Sequence, residues 1–165
     1  MDTLLYSRNP SEEKVQADIE IKKFSPRLFG LFLKGEKKTL KNTIARLYFR
    51  LMAGKKYVIY YVTSPEGVIA HTSTVMPRCF KFRYLASGEC EIGPCYTHKD
   101  FRGRGIYPKV LGHILGDYEA NKFYMTVHKT NNSSIRGIEK AGFERCGGIK
   151  KSKVLKIYRR AEENN

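Results

Sequence analysis

The segment Glu91-Ile-Gly-Pro-Cys-Tyr-Thr-His-Lys-Asp-Phe-Arg-Gly-Arg-Gly-Ile-Tyr107 decides the fold of this chain. It has a β-strand pattern at first, and Arg102-Gly-Arg-Gly105 then leads into a helix with an apolar stripe from Ile106 to Tyr118. Glycines let the backbone approach a ligand closely, and a helix start presents unpaired N–H groups and a positive dipole end. The segment therefore predicts an anion site suited to a pyrophosphate, to which Arg102 and Arg104 add charge.

Two features of this segment limit its interpretation. Taken alone, it fits a glycine-rich surface turn as well as a ligand site. It lacks the Gly-Lys-Ser/Thr ending of a phosphate-binding P-loop and the third glycine of a dinucleotide fingerprint. Pro94 stands inside the predicted strand and cannot donate to a ladder, so we expect a bulge or an exposed edge there.

The rest of the chain predicts alternating strands and helices. Arg78–Leu85 fits a strand or a loop. The other predicted elements are a strand over Val15–Lys23, a helix starting at Ser25-Pro26, a helix over Thr39–Ala53, strands over Tyr57–Thr63, Val68–Val75, Glu89–Thr97 and Lys122–Val127, a helix over Ser133–Ala141 and a strand over Lys153–Arg159. This order indicates an α/β (α+β) domain with a mixed sheet and helices on both faces. The apolar stripe expected to face the core of the Thr39–Ala53 helix consists of Leu40, Ile44, Leu47, Tyr48, Leu51 and Met52.

The opening segment resembles motif A of the GNAT superfamily of N-acetyltransferases. That motif is a bulged strand followed by Arg/Gln-x-x-Gly-x-Gly/Ala at the start of a helix, and Arg102 and Gly105 match its leading residue and central glycine. Tyr107 occupies the final small position, which is a departure from the family pattern. Val127-His-Lys-Thr-Asn-Asn-Ser-Ser-Ile-Arg-Gly-Ile-Glu-Lys-Ala-Gly-Phe143 is similar to motif B of the same family. The two matches cover about a third of the chain, in the expected order.

The resemblance implies a GNAT fold whose mostly antiparallel sheet contains two splayed parallel strands with the pantetheine arm of acetyl-CoA between them. The amides of 103–107 would bind the pyrophosphate, and Asn131 would contact the arm. The residues expected around the coenzyme are Cys95, Tyr96, Thr97, Arg102, Gly103, Arg104, Gly105, Ile106, Tyr107, Asn131 and Ser134.

Direct transfer needs a base for the amine and a proton donor for the leaving thiolate. The resemblance implies Glu91 as the base, four residues before Cys95, and alternation along a strand places both side chains on one face. The family's usual acid, a Tyr, is Ile138 here, so Tyr107, Tyr96, His71 or water are the alternatives. His71 is expected to line the acceptor side as a base or acceptor ligand, or to be a hydrogen-bonded core histidine.

Composition bounds the partners and the compartment. Lys and Arg number 31 against 16 acidic residues, a formal charge of +15, which predicts anionic partners such as nucleic acid, acidic membranes or phosphorylated ligands. Most Tyr and Phe residues fall on apolar stripes instead of alternating with basic residues, which disfavours nucleic acid. We find no secretory signal and no segment of about 20 apolar residues, so we expect one cytoplasmic domain over residues 1–165, a monomer or homodimer without a membrane span.

Cysteine spacing predicts neither disulfides nor metal. Cys79, Cys90, Cys95 and Cys146 form no disulfide framework, and Cys90, Cys95 and His98 lack the second ligand pair of a zinc site. Cys95 could also be a covalent nucleophile, but the sequence offers no clear His-Asp support for it.

The acceptor is the least specified part. Phrases such as Arg102-Gly-Arg-Gly-Ile-Tyr-Pro108 resemble small GNAT proteins of bacterial surface-polysaccharide clusters, which implies an amino sugar, anionic or nucleotide-linked. The alternatives are acetylation of a protein or aminoacyl group, and a non-catalytic module that binds acetyl-CoA or nucleic acid.

Overall fold

The computed structural model describes residues 3–11, 18–28, 30–36, 38–152 and 157–161. The strands of this part are β1 (Thr3–Arg8), β2 (Lys22–Phe24), β3 (Val58–Thr63), β4 (Ile69–Pro77), β5 (Glu89–Thr97), β6 (Lys122–His128), β7 (Glu144–Lys151) and β8 (Tyr158–Arg160). The α-helices are α1 (Leu40–Ala53), α2 (Ile106–Asp117) and α3 (Asn132–Lys140). Short 3₁₀ turns follow α1 and precede α2.

The strands form one mixed sheet in the order β2-β3-β4-β5-β6-β1-β7-β8. Among the described strands, β5 and β6 are the one parallel pair, and the other pairs are antiparallel. The crossover from β5 to β6 passes through α2, as a parallel connection requires. The sequence prediction of a mixed, mostly antiparallel sheet is therefore confirmed.

Helices cover both faces of this sheet. On one face α2 and α3 pack in a cluster that contains Val110, Ile114, Phe123 and Ile138. On the other face Phe49 of α1 belongs to a second cluster. We call these the α2 face and the α1 face.

Helix α1 forms where the sequence predicts it, but its orientation differs from the prediction. Thr39 caps its start by accepting a 3.2 Å hydrogen bond from the Asn42 amide, and Gly54 ends it with a φ of 56°. Phe49 is the buried residue of the helix, because its ring packs 5.8 Å from Tyr57 and 6.3 Å from Phe82. Of the predicted core stripe, Tyr48 packs against this cluster, and the other five residues are exposed, with Leu40 78% exposed.

The N-terminal predictions are wrong in two places. Strand β1 was not predicted, and it lies between β6 and β7. In the predicted strand over 15–23, residues 15–17 lie outside the described part, and Ile19 and Ile21 pack against the core before β2 begins. The predicted helix at Ser25-Pro26 does not form, because Arg27 and Gly30 exchange two 3.0 Å backbone hydrogen bonds in a tight turn.

The second half follows the prediction more closely. Strands β3 to β6 and helices α2 and α3 lie within two residues of the predicted bounds. The segment 78–85, for which the sequence fitted a strand or a loop, is a series of turns. Strand β7 was not predicted. The predicted last strand matches β8 in part, since residues 153–156 lie outside the described part.

Candidate active site

The predicted bulge lies in the middle of β5. Ser73 of β4 pairs with Cys95, and Val75 pairs with Ile92, so that Gly93-Pro94 opposes a single residue of β4. The extra residue reverses the alternation of side chains along β5. Cys95 therefore faces α2, whereas Glu91 faces the opposite side of the sheet, and the expectation that the two share a face is wrong.

Strands β5 and β6 separate immediately after their pairing begins. Their parallel register covers only Glu89–Glu91 against Lys122–Tyr124. Beyond this point a slot of about 400 Å³ lies between the two strands. Its lining includes Tyr107 and Ile138 from the α2 face and Phe82 and Tyr158 from the α1 face, so the slot passes through the sheet.

A second cavity of about 590 Å³ lies at the start of α2. Gly105 precedes the helix in a left-handed conformation with a φ of 71°, which glycine adopts at little cost. All eleven residues that the sequence predicts around the coenzyme line this cavity: Cys95, Tyr96, Thr97, Arg102, Gly103, Arg104, Gly105, Ile106, Tyr107, Asn131 and Ser134. Sequence reasoning missed Phe101, Pro108, Ser133, Gly137 and Lys140. We call this cavity the anion groove, and it joins the slot at Cys95, Tyr107, Asn131 and Ser134.

Several groove residues also hold its walls in place. The Nε of Arg102 donates a 3.1 Å hydrogen bond to the Thr97 carbonyl, and the Arg104 guanidinium lies 5.1 Å from the Phe101 ring centre. Asn131 caps α3, because its Oδ1 accepts a hydrogen bond from the Ser134 amide at 3.2 Å. The basic groups therefore sit on a braced loop at the positive end of a helix.

Glu91 lies at the mouth of the slot on the α1 face and is 3% exposed. Its Oε1 accepts hydrogen bonds from the Thr126 amide at 3.1 Å and the Thr126 hydroxyl at 2.7 Å. Its Oε2 accepts a hydrogen bond from the Tyr84 hydroxyl. Burial raises the pKa of Glu91 to about 7, although hydrogen bonds from Tyr84 and Thr126 and the charge of Lys81 oppose the rise. A carboxyl with this pKa can exchange a proton near neutral pH.

His71 is fully buried on the α2 face with both ring nitrogens hydrogen-bonded, which fits the alternative of a core histidine. Its Nδ1 lies 2.8 Å from the Thr97 hydroxyl, and its Nε2 lies 2.8 Å from the Ser73 hydroxyl. Ser73 in turn donates to the Cys95 sulfur at 3.2 Å. Burial lowers the pKa of His71 to about 4, so the ring is neutral at pH 7.

Thr97, His71, Ser73 and Cys95 form a chain of hydrogen bonds, which we call the string. These contacts fix the position of each proton in it. Ser73 has one hydroxyl proton and donates it to Cys95, so the His71 Nε2 must be the donor toward Ser73. The Nδ1 of His71 is then the acceptor from Thr97. Sequence reasoning missed Ser73, because its contact with Cys95 depends on the register between β4 and β5, which the sequence does not reveal.

Tyr107 closes the string at the junction of slot and groove. Its hydroxyl hydrogen-bonds with Cys95, and its ring lies 5.6 Å from the His71 ring. Burial raises the pKa of Tyr107 and raises the pKa of Cys95 to about 11, so both groups carry their protons at neutral pH. Ile138, at the family's tyrosine position, is buried at 1% exposure and supplies no proton.

A further cleft of about 590 Å³ lies on the α1 face beside the slot. Asn42, Arg46 and Phe49 of α1 form one wall, and Thr72, Thr74 and Tyr96 are among the sheet residues that form the other. The cleft and the slot share Met76 and Pro94. A molecule in this cleft would therefore meet the slot on the side opposite to the anion groove.

The described ranges contain neither a cluster of metal-ligating side chains nor a membrane-spanning helix. No cluster of three or more His, Cys, Asp or Glu side chains is arranged to hold a metal ion there. No helix in the same part of the chain has the length and apolar character to span a bilayer.

Comparisons with solved structures support the fold. A GCN5-related N-acetyltransferase from Sphaerobacter thermophilus matches with a TM-score of 0.58 and 16% identity over 88% of this chain and 48% of its own. An acetyltransferase of the GNAT family from Novosphingobium aromaticivorans matches with a TM-score of 0.56 and 18% identity over 87% and 59%. Glucosamine-6-phosphate N-acetyltransferase from Arabidopsis thaliana matches with a TM-score of 0.53 and 21% identity over 82% and 99%.

The chain spans about half the length of the first solved structures that it matches. No curated protein matches the sequence. Residues 32–143, more than half of the chain, match the family described as acetyltransferase (GNAT) family. With this match, the splayed parallel pair and the groove at the start of α2, the chain belongs to the GNAT acetyltransferase family.

Proposed function

We propose that the chain, as one domain, is an acetyl-CoA-dependent N-acetyltransferase that transfers the acetyl group directly to the amine of a small anionic molecule, an amino sugar. The observation that carries this proposal is the slot through the sheet. It connects the anion groove on one face to a buried carboxyl with a pKa near 7 on the other. Donor and acceptor can then meet from opposite faces of the sheet, and Tyr96 is the residue that lines both the anion groove and the cleft on the α1 face.

The anion groove is the coenzyme site in this proposal. The pyrophosphate binds the amides at 103–107, where the α2 dipole and Arg102 and Arg104 favour negative charge. The pantetheine arm enters the slot past Asn131 and pairs with the β5 backbone at Cys95 and Thr97. The splay supports this pose, because the edges of β5 and β6 facing the slot have no ladder partner among the described residues.

Glu91 is the general base. Its side chain is held by Tyr84 and Thr126 at the slot mouth, where the amine of the acceptor arrives from the cleft on the α1 face. The carboxylate accepts a proton from the ammonium group and releases it to solvent. The neutral amine then attacks the thioester carbon, and the same carboxylate accepts the second proton that the nitrogen loses. General-base catalysis of this kind contributes about a hundred- to ten-thousand-fold in rate.

Tyr107 is the general acid in place of the missing family tyrosine. Its hydroxyl donates a proton to the leaving thiolate as the C–S bond breaks. The hydroxyl also hydrogen-bonds with Cys95, whose position Ser73 and His71 fix through their own hydrogen bonds, and the tyrosinate regains its proton from solvent. His71 and Cys95 are positioning residues in this scheme, and no acyl-cysteine forms.

The acceptor assignment rests on charge and on the cleft beside the slot. The cleft offers the amide of Asn42 and the hydroxyls of Thr72 and Thr74 to a polyhydroxylated molecule. The formal charge of +15 exceeds what one coenzyme needs, which favours an acceptor bearing phosphate or a nucleotide. The similarity in fold to a glucosamine-6-phosphate N-acetyltransferase agrees with this class.

The test is a thiol-release assay with acetyl-CoA and a panel of amines. The panel compares amino sugars, amino-sugar phosphates, nucleotide-linked amino sugars, amino acids and peptides at equal concentration. We expect the highest kcat/KM with a phosphorylated or nucleotide-linked amino sugar. A preference for peptides would contradict the acceptor class, and absence of a melting-temperature increase with acetyl-CoA would contradict the enzyme assignment as well.

A further inference from the structure

The outward face of α1 carries an apolar stripe that nothing in the described structure covers. Leu40, Ile44, Leu47 and Leu51 lie at spacings of three and four residues and are 78, 60, 38 and 63% exposed, respectively. Residues at these spacings lie above one another on one side of a helix. Met52 beside them is 53% exposed. Contiguous exposed apolar patches of this kind mark interaction surfaces.

The stripe lies within a strongly basic, acid-free part of the sequence. Between Glu36 and Glu66 the chain has seven Lys or Arg residues and no Asp or Glu. Lys38, Lys41, Lys55 and Lys56 are exposed, and no carboxylate of the described residues forms a salt bridge with any of them. The stripe is therefore flanked by positive charge that the fold itself does not neutralise.

This charge is separate from the coenzyme site. The anion groove opens on the α2 face, whereas α1 packs through Phe49 on the other face. No residue of α1 lines the groove. Binding of a coenzyme therefore accounts neither for the four lysines nor for the apolar stripe.

We propose that the outer face of α1 docks on the surface of an anionic phospholipid bilayer. In this arrangement the helix lies in the plane of the interface, with Leu40, Ile44 and Leu51 inserted among the acyl chains. The lysines at both ends of α1 contact the phosphate headgroups. The proposal is independent of the reaction assigned to the slot.

Other occupants of the surface fit less well. A second copy of the chain would bring the exposed lysines of two α1 segments together, and their like charges repel. Nucleic acid would use the lysines but offers no apolar phase for four aliphatic side chains, and single strands prefer aromatic platforms. A fluid bilayer accommodates projecting leucines without a complementary pocket, and it supplies the negative charge.

The experiment is vesicle co-sedimentation of the full chain at low and high salt. Vesicles of pure phosphatidylcholine are compared with vesicles that contain phosphatidylglycerol. One variant carries Ile44→Gln with Leu51→Gln, and a second carries Lys55→Glu with Lys56→Glu. The matched charge control carries Arg136→Glu with Lys140→Glu, which reverses two exposed charges of α3 on the α2 face. Melting curves establish that each variant folds.

We expect the wild-type chain to sediment with the anionic vesicles and not with the neutral ones, and less at high salt. The Lys55/Lys56 variant should lower the partition coefficient at least about tenfold. The Ile44/Leu51 variant should lose binding at equal net charge, and the α3 control should retain most of it. The proposal is overturned if the wild-type chain ignores anionic vesicles, or if the Ile44/Leu51 variant binds like the wild type. Equal loss in the α3 control, or tighter binding of a single-stranded oligonucleotide through the same α1 residues, would also overturn it.

Discussion

The ring of Tyr107 lies directly against the backbone of Gly137. A Cβ placed on Gly137 would fall 2.8 Å from Tyr107 Cε1 and closer still to Cδ1, a distance that real Cβ atoms do not adopt. Gly137 stands inside α3, one residue before Ile138, which occupies the family's tyrosine position. The glycine thus makes room for an aromatic ring that reaches the slot from α2 instead of from α3.

This contact predicts an unusual response to Gly137→Ala. Alanine normally stabilises a helix interior by about 1 kcal/mol relative to glycine. Here the methyl group must displace the Tyr107 ring, so we expect a net destabilisation of about 1–3 kcal/mol and a lower kcat. In the Tyr107→Ala background the same change should stabilise the chain. Denaturant unfolding of the four proteins measures this cycle, and equal effects in both backgrounds would contradict the contact.

Replacing Tyr107 by Phe tests the proposed acid. The ring packing against Gly137 and His71 is kept, and only the hydroxyl that hydrogen-bonds Cys95 is lost. We expect kcat to fall about a hundredfold or more, while acetyl-CoA affinity stays within about twofold. Steady-state kinetics measure kcat, and calorimetric titration measures the affinity for acetyl-CoA. A kcat close to that of the wild type would assign the proton to water or another group.

The pKa of Glu91 sets the pH dependence of the reaction. A base must be ionised to accept a proton, so kcat/KM should rise with pH and level off above a pH of about 7, the pKa that burial produces. Glu91→Gln should lose this limb together with about a hundredfold in rate. The measurement uses two acceptors whose amine pKa values differ. If the pH at which kcat/KM levels off changes with the pKa of the acceptor amine, the titrating group is the amine. That result would argue against Glu91.

The lowered pKa of His71 predicts that the stability of the folded chain also depends on pH. Its folded pKa of about 4 lies below the value of 6.5 in an unfolded chain, so below pH 6.5 the unfolded state binds a proton that the folded state excludes. This contribution to stability is complete above pH 6.5 and declines as the pH falls toward 4, by about 3 kcal/mol. His71→Asn should flatten this part of the profile, whereas His128→Asn, at an exposed position, should not. Denaturant unfolding at several pH values distinguishes the two.

The sequence predicted the parts of the fold that depend on local chemistry. Pro94 cannot donate to a ladder, and Gly105 tolerates a left-handed backbone, so the bulge and the helix start could be placed from residue types alone. The residues of the groove followed from the same segment together with Asn131. Their role in holding the coenzyme stays a proposal.

Long-range relationships were out of reach of the sequence. Strand β1 lies between two strands that come more than a hundred residues later, and nothing local specifies that register. Periodicity showed that α1 has an apolar face. It did not show that Phe49, on another side of the helix, packs against the rings of Tyr57 and Phe82. The hydrogen-bond string through Ser73 likewise depends on which residues a bulge places side by side across β4 and β5.

Two glycines with similar positive φ angles allow the role of the anion groove to be tested against a matched control. Gly103 and Gly67 have φ values of 75° and 80°, and a Cβ on either would meet no atom within 4 Å. Alanine at each position should therefore cost about 1 kcal/mol of stability by strain alone. Only Gly103 lines the anion groove, where the methyl group and the shifted amides would oppose the pyrophosphate. We expect Gly103→Ala to weaken acetyl-CoA binding about tenfold or more in calorimetric titration, with Gly67→Ala unchanged. Equal affinities in the two variants would place the pyrophosphate somewhere other than this loop.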